Sequence, residues 1–313
     1  MKSDLVWGID IGGTKCAVTL GTEEGSIVKK IRFETTTVEE TIEKIVSAAK
    51  ELAQGEAVAA CGVSCGGPLD EAKGLILSPP NLLGRDRIAI CEILEKALGV
   101  PCALKNDANA CAMAEWYFGA GKGTQNMVFL TFGTGLGAGI IASGKLISGA
   151  NGFAGELGHI RLAEFGPAGY GKCGSFEGFC SGSGLAELGR AFAREAAQQG
   201  VSIDWAHDME AIKPAEMAEA ARNGEAFAKK AFSLCGRMLG RGLAIVMDLL
   251  NPECIVLGSV YVRCRDLLEP PMYAVLEEEA LMQTRAVCRI VPAALGETIG
   301  DIAALAVAKE AVQ

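Results

Sequence analysis

Apolar and polar positions follow one another along the first hundred residues in the manner of alternating strands and helices. Short apolar runs at residues 5–9, 17–20 and 58–63 predict buried strands. Thr37 is a good N-cap, Glu40 completes a capping box with it, and apolar residues then recur at helical spacing. This order of elements predicts an α/β fold.

The second part of the chain begins after a glycine-rich break at residues 119–124. Four further apolar runs predict strands, at residues 127–132, 139–142, 254–257 and 287–291. Ser143-Gly144 predicts a two-residue hairpin turn. Residues 149–182 are glycine-rich and irregular, which is typical of a functional loop. The rest is mainly helical and closes with an apolar helix at 301–312.

Composition excludes several classes of function. The 313 residues are half hydrophobic and carry a formal net charge of −9. Such a chain is a poor nucleic-acid binder, because Lys and Arg contacts to phosphate supply most of that affinity. No apolar stretch has the length of a membrane span or of a signal-peptide core, so we expect a cytoplasmic protein with no membrane partner.

Cysteine and histidine usage bears on metal sites. The twelve cysteines form no C-x-x-C pair and lie mostly in apolar segments, which is typical of small buried hydrophobic residues in a cytosolic protein. The two histidines are too few for a histidine-rich metal site.

The motif D-I-G-G-T-K at residues 10–15 directly follows a predicted strand. Its glycines, Gly12 and Gly13, would let backbone N–H groups approach phosphate oxygens. Thr14 adds a hydroxyl and Lys15 a positive charge. Asp10, at the strand end, is a candidate Mg²⁺ ligand, directly or through water. The spacing is not that of a Walker A loop.

A second glycine turn, F-G-T-G-L-G-A-G at residues 132–139, also follows a predicted strand and does not fit the Rossmann fingerprint. A glycine turn with only a structural role is the more common case for either motif alone. Two such turns, about 120 residues apart along the chain, favour phosphates held from two domains.

Asp107 lies in K-N-D-A-N-A, residues 105–110, where a predicted strand enters a helix. It is the candidate general base. The structural alternative is a helix N-cap, a position that Asp fills well. A free Asp has a pKa of about 3.9 and is a weak base at neutral pH. Phosphoryl transfer tolerates a weak base, because orienting the hydroxyl and accepting its proton late is sufficient.

These motifs together resemble the ROK (repressor, open reading frame, kinase) family, whose enzymes include bacterial glucokinases, fructokinases and N-acetylhexosamine kinases. The resemblance runs nearly end to end. It covers D-I-G-G-T-K at 10–15, G-G-P-L at 66–69, P-N-L at 80–82, N-D-A-N at 106–109, G-T-G-L-G-A-G at 133–139, G-E-L-G-H at 155–159 and S-G-S-G-L at 181–185.

The resemblance implies a sugar kinase that transfers the γ-phosphoryl group of Mg-ATP to the 6-hydroxyl of a hexose. Glucose is the favoured acceptor, and N-acetylmannosamine or N-acetylglucosamine is the alternative. The implied fold is α/β with two actin-like (ribonuclease H-like) domains and a cleft between them. We expect a smaller domain at residues 1–118 with the C-terminal helix 299–313, a larger domain at 119–298, and a homodimer through the second domain.

The resemblance also implies roles for individual residues. Asp107 would be the base for the sugar 6-hydroxyl, and Asp10 would hold Mg²⁺. The implied sugar-binding residues are Gly67, Asn81, Asn106, Asp107, Glu156, His159 and Glu177. The implied ATP-binding residues are Asp10, Gly12, Gly13, Thr14, Lys15, Thr134, Gly135 and Gly258.

The chain departs from the family at its structural zinc site. The family holds zinc with the histidine of E-x-G-H, here His159, and three cysteines. Ala168, Tyr170 and Ser175 stand at the three cysteine positions. A structural zinc needs four ligands, so we predict no structural zinc. The alternative is a rearranged site that uses Cys173 and Cys180.

Two rival functions come from other classes. A sugar-responsive repressor of the same family would need a helix-turn-helix ahead of the first glycine turn, and Asp10 leaves no room for one. A catalytically silent sugar-binding protein is the second rival. The presence of Asp10, Lys15 and Asp107 argues against it.

Overall fold

The computed structural model describes residues 4–77 and 87–312. Asn81, a predicted sugar-binding residue, lies outside the described residues. The chain divides into two compact units. Unit 1 is Met1–Gln125, Gly139–Ala154 and Ala294–Gln313, and unit 2 is Asn126–Ala138 and Gly155–Ala293.

The described elements mix strands and helices along the whole chain. The strands are β1 (Leu5–Ile11), β2 (Lys15–Thr22), β3 (Ile27–Glu34), β4 (Cys61–Cys65), β5 (Leu69–Asp70), β6 (Leu75–Leu77), β7 (Arg87–Ile88), β8 (Cys102–Asn106), β9 (Met127–Leu130), β10 (Ala138–Ala142), β11 (Lys145–Leu146), β12 (Ala168–Gly169), β13 (Lys172–Cys173), β14 (Cys254–Leu257) and β15 (Arg289–Pro292). The helices are α1 (Val38–Ala53), α2 (Ile90–Leu98), α3 (Asp107–Phe118), α4 (Phe176–Phe179), α5 (Gly182–Gln198), α6 (Pro214–Arg222), α7 (Ala226–Leu250), α8 (Val260–Glu279), α9 (Met282–Val287) and α10 (Ile299–Val312).

Unit 1 is built on a five-stranded sheet with the order β3-β2-β1-β4-β8. β1, β2 and β3 form antiparallel pairs, whereas β1, β4 and β8 run parallel. Ile11 pairs with Cys65, and Cys65 with Asn106, in register. The carboxyl ends of three neighbouring parallel strands therefore lie at one edge of the sheet.

Helix α1 covers one face of this sheet, and the indole nitrogen of Trp7 donates to the carbonyl of Ala49 at 3.0 Å. As predicted, α1 begins after Thr37, whose hydroxyl accepts from the backbone nitrogen of Glu40. Helix α10 packs so closely that a Cβ atom on Gly62 would lie 2.1 Å from the nitrogen of Ala308. The apolar, alanine-rich sequence of α10 is explained by this close approach of backbone to backbone.

The hairpin of β10 and β11 turns at Ser143 and Gly144, which have φ values of 51° and 71°. The predicted two-residue turn is therefore confirmed. A Cβ atom on Gly139 would lie 2.4 Å from the Cβ of Ala112 in α3. This packing explains why residues 139–154 group with unit 1. The predicted domains, residues 1–118 with 299–313 and residues 119–298, place residues 139–154 in the second domain instead. These predicted bounds stay a prediction.

Unit 2 contains three parallel strands, β9, β14 and β15, with β14 in the middle. Its longest helix is α7, where the Glu225 carboxylate accepts from the backbone nitrogens of Phe227 and Ala228. The strand predicted at residues 287–291 begins only at Arg289, because α9 continues through Val287 and ends at its C-cap, Cys288.

Among the residues that the structure describes, no helix combines the length and the apolar character that a membrane span requires.

Candidate active site

In unit 1, the predicted site segments lie at the carboxyl ends of three parallel strands. Asp10 is the penultimate residue of β1, and the first glycine turn follows it. Gly67 follows β4, and Asp107 follows β8. Since ligand sites of parallel α/β sheets lie at the carboxyl ends of the strands, this edge is the candidate site of unit 1.

The first glycine turn, residues 12–13, is closed by its own surroundings. The backbone nitrogen of Gly12 donates to the carbonyl of Lys15 at 3.1 Å, and the Thr35 hydroxyl donates to the carbonyl of Gly12 at 2.7 Å. A Cβ atom on Gly12 would lie 2.7 Å from the Lys15 carbonyl oxygen, so a side chain is excluded. Gly13, Thr14 and Lys15 are exposed, as a phosphate-binding turn requires.

The surroundings of the Asp10 carboxyl group disfavour its ionised form. Withdrawal from water, followed by the negative charges of Asp301 and Asp107, raises its pKa to about 6. Lys30 and Arg32 oppose this rise in pKa. Both cations contact Asp301, which pairs with Lys30 and lies 3.7 Å from Arg32.

The repulsion between Asp10 and the neighbouring carboxylates bears on the binding of Mg²⁺. A cation beside Asp10 would relieve the repulsion between the carboxylates and favour the ionised form. Mg²⁺ keeps several waters and takes one or two protein carboxylates, so a single Asp at the strand end fits its chemistry.

Asn106 and Asp107 form the turn from β8 into α3. The N-cap of α3 is Asn106, whose side-chain oxygen accepts from the Ala108 nitrogen at 2.9 Å. Asp107 is the first helical residue, and its carboxylate also accepts from Ala108, at 2.8 Å. The structural alternative for Asp107 was the N-cap position, which Asn106 occupies instead.

Asp107 keeps an exposed face, yet partial withdrawal from water raises its pKa, a change that makes a carboxylate a better base. A Cβ atom on Gly67 would lie 3.7 Å from the side-chain nitrogen of Asn106. Unit 1 therefore brings Gly67, Asn106 and Asp107 together, as predicted for the sugar side of the site.

The second glycine turn, residues 133–137 in unit 2, follows β9 through Phe132, which is buried and has a φ of 39°. Distant backbone groups hold it. The nitrogen of Gly182 donates to the carbonyl of Gly133 at 2.7 Å, and that of Ser183 to the carbonyl of Thr134 at 3.3 Å. Thr134 itself is exposed.

Glu177 lies beside this turn. Its carboxylate accepts from the Leu136 backbone nitrogen at 2.9 Å, and a Cβ atom on Gly135 would lie 2.8 Å from the same carboxylate. Ser175 caps the short helix α4 that carries Glu177. A residue predicted to bind sugar thus contacts the turn predicted to bind phosphate.

The segment of Glu156 and His159 packs on the same turn. A Cβ atom on Gly158 would lie 2.3 Å from the Leu136 carbonyl oxygen. Glu156 and His159 are both exposed, at the two ends of this short segment. Gly258 donates to the carbonyl of Leu130 at 2.9 Å. Unit 2 therefore gathers its own predicted site residues around the second glycine turn.

The region that would hold a structural zinc is closed by hydrogen bonds. Lys172 donates to the carbonyl of His159 at 2.7 Å, and Arg161 to the carbonyl of Cys173 at 2.7 Å. The Tyr170 ring meets the His159 ring edge-on, with 6.3 Å between the centroids. Within residues 4–77 and 87–312, no three His, Cys, Asp or Glu side chains form a group that could ligate a metal. This donor set does not fit a structural zinc.

The sequence did not identify Glu71, which contacts the predicted site residue Asn106, or Asp301, whose negative charge acts on Asp10. Glu71 directly follows G-G-P-L-D, and this position next to the motif was the only sequence signal for it. Asp301 lies near the start of the largely apolar helix α10, and an acidic residue among those apolar positions was the signal for it.

Comparison with known proteins decides the family. The sequence model of the ROK family matches residues 6–311. The chain belongs to the ROK family. It is 32% identical to a glucokinase from Streptomyces coelicolor over 311 residues, which cover 98% of each chain. It is also 32% identical to an N-acetylmannosamine kinase from Escherichia coli over 258 residues, 80% of this chain and 81% of the relative.

The ROK assignment extends to the fold. A ROK family glucokinase from Streptomyces griseus, solved with glucose and AMPPNP, superposes with a TM-score of 0.77 at 31% identity, covering 98% of this chain and 99% of that one. The predicted fold class, α/β with two actin-like (ribonuclease H-like) domains, is confirmed by this likeness and by the mixed sheet of unit 1.

Proposed function

We propose that this ROK chain is an ATP-dependent hexose kinase that transfers the γ-phosphoryl group of Mg-ATP to the 6-hydroxyl of a hexose, with glucose as the favoured acceptor. The observation that carries the proposal is the edge of unit 1 where Asp10 lies near the end of β1 and Asp107 directly follows β8, two parallel strands of one sheet. One strand separates theirs, so the strands are roughly 10 Å apart. The negative charge of Asp107 contributes, after burial and Asp301, to the raised pKa of Asp10.

Asp107 acts as the base in this proposal. Its carboxylate accepts the proton of the 6-hydroxyl while the hydroxyl oxygen forms a bond to the γ-phosphorus and the bond to the bridging oxygen of ADP breaks. The residues proposed to bind the sugar are Gly67, Asn81, Asn106, Glu156, His159 and Glu177. Their carboxylate, amide and imidazole groups suit the hydroxyls of a sugar.

The two glycine turns hold the nucleotide. Backbone N–H groups of Gly12, Gly13 and Gly135, the hydroxyls of Thr14 and Thr134, and the Lys15 ammonium bind phosphate oxygens. Gly258 lies by the adenosine. Asp10 holds Mg²⁺, directly or through water, and the ion supplies neutralisation of the phosphate charge when bound.

N-acetylmannosamine is the second candidate acceptor. The 32% identity to an N-acetylmannosamine kinase supports it. The residues from Glu156 to His159 suit hydroxyls that both kinds of sugar carry, so they do not discriminate between them.

We also propose a cytoplasmic homodimer that associates through unit 2 and contains no structural zinc. Unit 2 exposes apolar side chains at Leu249, Leu281 and Met282, which support an interface there. Light scattering should give twice the mass of the chain, and a monomer mass would refute the dimer. Metal analysis of protein purified without chelator should find far less than one zinc per chain.

The test of the proposed activity is ADP release with a panel of hexoses and N-acetylhexosamines. We expect turnover that requires both Mg²⁺ and a hexose, highest with glucose. Asp107→Asn keeps the size of the side chain and removes its basicity, so it should lower kcat by at least about 100-fold.

Asp208→Asn is the matched control, because Asp208 is an exposed Asp in unit 2 whose carboxylate accepts from the Glu210 nitrogen. It should retain full activity. Wild-type protein that binds a hexose and turns over none would instead favour the catalytically silent sugar-binding protein.

A further inference from the structure

Glu71 is a buried carboxylate that no predicted role includes. It begins a short 3-10 helix, Glu71–Lys73, directly after β5 in unit 1. Its side chain is only 7% exposed. A carboxylate in such a place is costly unless it is paired and hydrogen-bonded, so the contacts that it makes identify what it is for.

The contacts of Glu71 converge on the turn that carries Asp107. One carboxylate oxygen accepts from the backbone nitrogen of Asn106 at 3.0 Å and from the side-chain nitrogen of Asn109 at 3.1 Å. The other accepts from the Ser148 hydroxyl at 3.2 Å, and the Lys105 ammonium lies 3.6 Å from it. Glu71 thus holds residues on both sides of Asp107.

The side chain of Asn109 is held by a hydrogen bond to Glu71. Its side chain is buried, and its oxygen is the one buried side-chain nitrogen or oxygen atom without a hydrogen-bond partner among the residues described. Within that part of the chain the bond to Glu71 is what orients the amide. The Asn106 backbone, for its part, is fixed at the last residue of β8, immediately before Asp107.

Asp107 has little else to fix it. Its carboxylate bonds to the nitrogen of Ala108, the next residue, and its outer face is exposed. A base that accepts a proton from a bound hydroxyl must be placed to within a fraction of an ångström. The rigidity must therefore come from the residues around it.

We infer that Glu71 is a positioning residue for phosphoryl transfer: through Asn106 and Asn109 it holds the Asp107 carboxylate in line with the acceptor hydroxyl. Its own hydrogen bonds go to protein groups of Asn106, Asn109 and Ser148. Ser148 joins residues 147–154 to the same carboxylate, so this loop is tied to the position of the base. The inference rests on the proposed kinase function and deepens it.

Two substitutions separate the position of the carboxylate from its charge. Glu71→Gln keeps the length of the side chain and an oxygen that can accept from Asn106 and Asn109, but it removes the charge. Glu71→Asp keeps the charge and shortens the side chain by one methylene, which withdraws the oxygens from both donors. A positioning role predicts that Glu71→Asp loses more kcat than Glu71→Gln.

We expect kcat at saturating hexose and ATP to fall about 30-fold in Glu71→Asp and less than about 5-fold in Glu71→Gln. The KM for ATP and the stoichiometry of ATP binding should stay within twofold of the wild type in both, because Glu71 makes no contact with the first glycine turn. A merely structural role would lower the ATP-binding stoichiometry with the folded fraction and leave kcat per binding site unchanged.

Asp70→Asn is the matched control. Asp70 precedes Glu71, accepts from the Lys73 backbone nitrogen at 3.2 Å and pairs with the Lys73 ammonium at 2.7 Å, and does not reach residues 106–109. Its kcat should stay within twofold of the wild type.

Each result bears on the inference. Equal kcat in Glu71→Asp and wild type, or a larger loss in Glu71→Gln than in Glu71→Asp, overturns it while the kinase function stands. A wild type that turns over no hexose contradicts the proposed function, and with it the acceptor hydroxyl on which the inference rests. If Glu71→Asp does not fold, Ser148→Ala and Asn109→Ala take its place in the test. Each removes one partner of Glu71 and should lower kcat with the KM for ATP unchanged. An unchanged kcat in both variants overturns the inference.

Discussion

The two glycine turns of the chain both follow a buried strand, but they are held in different ways. The turn at residues 12–13 is closed by Lys15 and Thr35, residues of its own hairpin and the strand beside it. The turn at 133–137 is held by Glu177, Gly182 and Val260, which come about 40 to 130 residues later in the chain. The first turn therefore forms with local structure, whereas the second depends on the assembly of unit 2.

The largest expected effects come from adding a methyl group to each turn. In Gly12→Ala the new Cβ would lie 2.7 Å from the backbone oxygen of Lys15, which cannot move without opening the hairpin. In Gly135→Ala it would lie 2.8 Å from the end of the Glu177 side chain, which can rotate away. Overpacking of this kind costs about 1–3 kcal/mol.

We therefore expect the Kd for ATP, measured by calorimetry without sugar, to rise about 30-fold or more in Gly12→Ala and about 3- to 10-fold in Gly135→Ala. Glu177→Ala should relieve Gly135→Ala, so that the double variant binds ATP more tightly than the sum of the single losses predicts. A greater loss in Gly135→Ala than in Gly12→Ala would reverse the comparison.

Acidification should weaken Mg²⁺ binding beside the first turn, because the Asp10 carboxyl group there has a pKa raised to about 6. As the pH falls through 6, Asp10 takes up a proton and loses its affinity for Mg²⁺. The Mg²⁺ concentration needed for half-maximal activity should therefore rise up to tenfold for each pH unit below 6.

The same proton should affect stability in the opposite direction. A carboxyl group with a raised pKa destabilises the folded state above that pKa, and the destabilisation is relieved as the pH falls from about 6 toward the ordinary Asp pKa of 3.8. Asp10→Asn should thus unfold at higher denaturant than the wild type at pH 7.5, and this advantage should shrink at pH 5. An advantage that is constant with pH would contradict the raised pKa.

The contrast between the turns also shows what sequence could predict. The strands that lead to Asp10 and Asp107, the helix after Thr37 and the hairpin at Ser143 depend on local patterns, and the structure has each of them. The parallel pairing that brings Asp10 and Asp107 to one edge was expected only from the family resemblance. No local pattern encodes which strands become neighbours.

The remote contacts could not be read from sequence. Glu71 holds residues 106–109 and Glu177 holds Leu136, yet each is an ordinary glutamate in its local sequence. The departure from the zinc pattern was visible in Ala168, Tyr170 and Ser175. The hydrogen bonds of Lys172 and Arg161 to backbone carbonyls in that region were not visible, because they depend on the folded hairpin.

A moderate effect should come from Ser181, which begins the helix that supports the second turn. Its hydroxyl is buried and accepts from the Gly184 nitrogen at 2.9 Å, and the adjacent Gly182 holds Gly133. Ser181→Ala should lower the free energy of unfolding by about 1 kcal/mol and also raise the Kd for ATP about threefold.

Thr37→Ala is the control for this effect. It removes the equivalent cap of α1, which accepts from Glu40 at 3.4 Å and contacts neither turn. Stability should fall by a similar or smaller amount, with the Kd for ATP unchanged. Equal changes in ATP affinity in the two variants would mean that the second turn does not depend on α5.

The smallest expected effect is a gain in stability at Ser259, the residue between β14 and α8. Its φ of 45° and ψ of −103° lie in a region that favours glycine, and Val260, which follows it, donates to the carbonyl of Phe132 at the start of the second turn. Ser259→Gly relieves this strain but loses the bond from Arg263 to the serine hydroxyl at 3.0 Å. We expect a net gain of about 0.5–1 kcal/mol in the free energy of unfolding by denaturant.

Ser143→Gly makes the same exchange at a φ of 51° in a hairpin turn of unit 1, where a positive φ suits the turn and the gain should be smaller. A larger gain at Ser143 than at Ser259 would show that the strain is stored at the local hairpin and not where unit 2 assembles around its glycine turn.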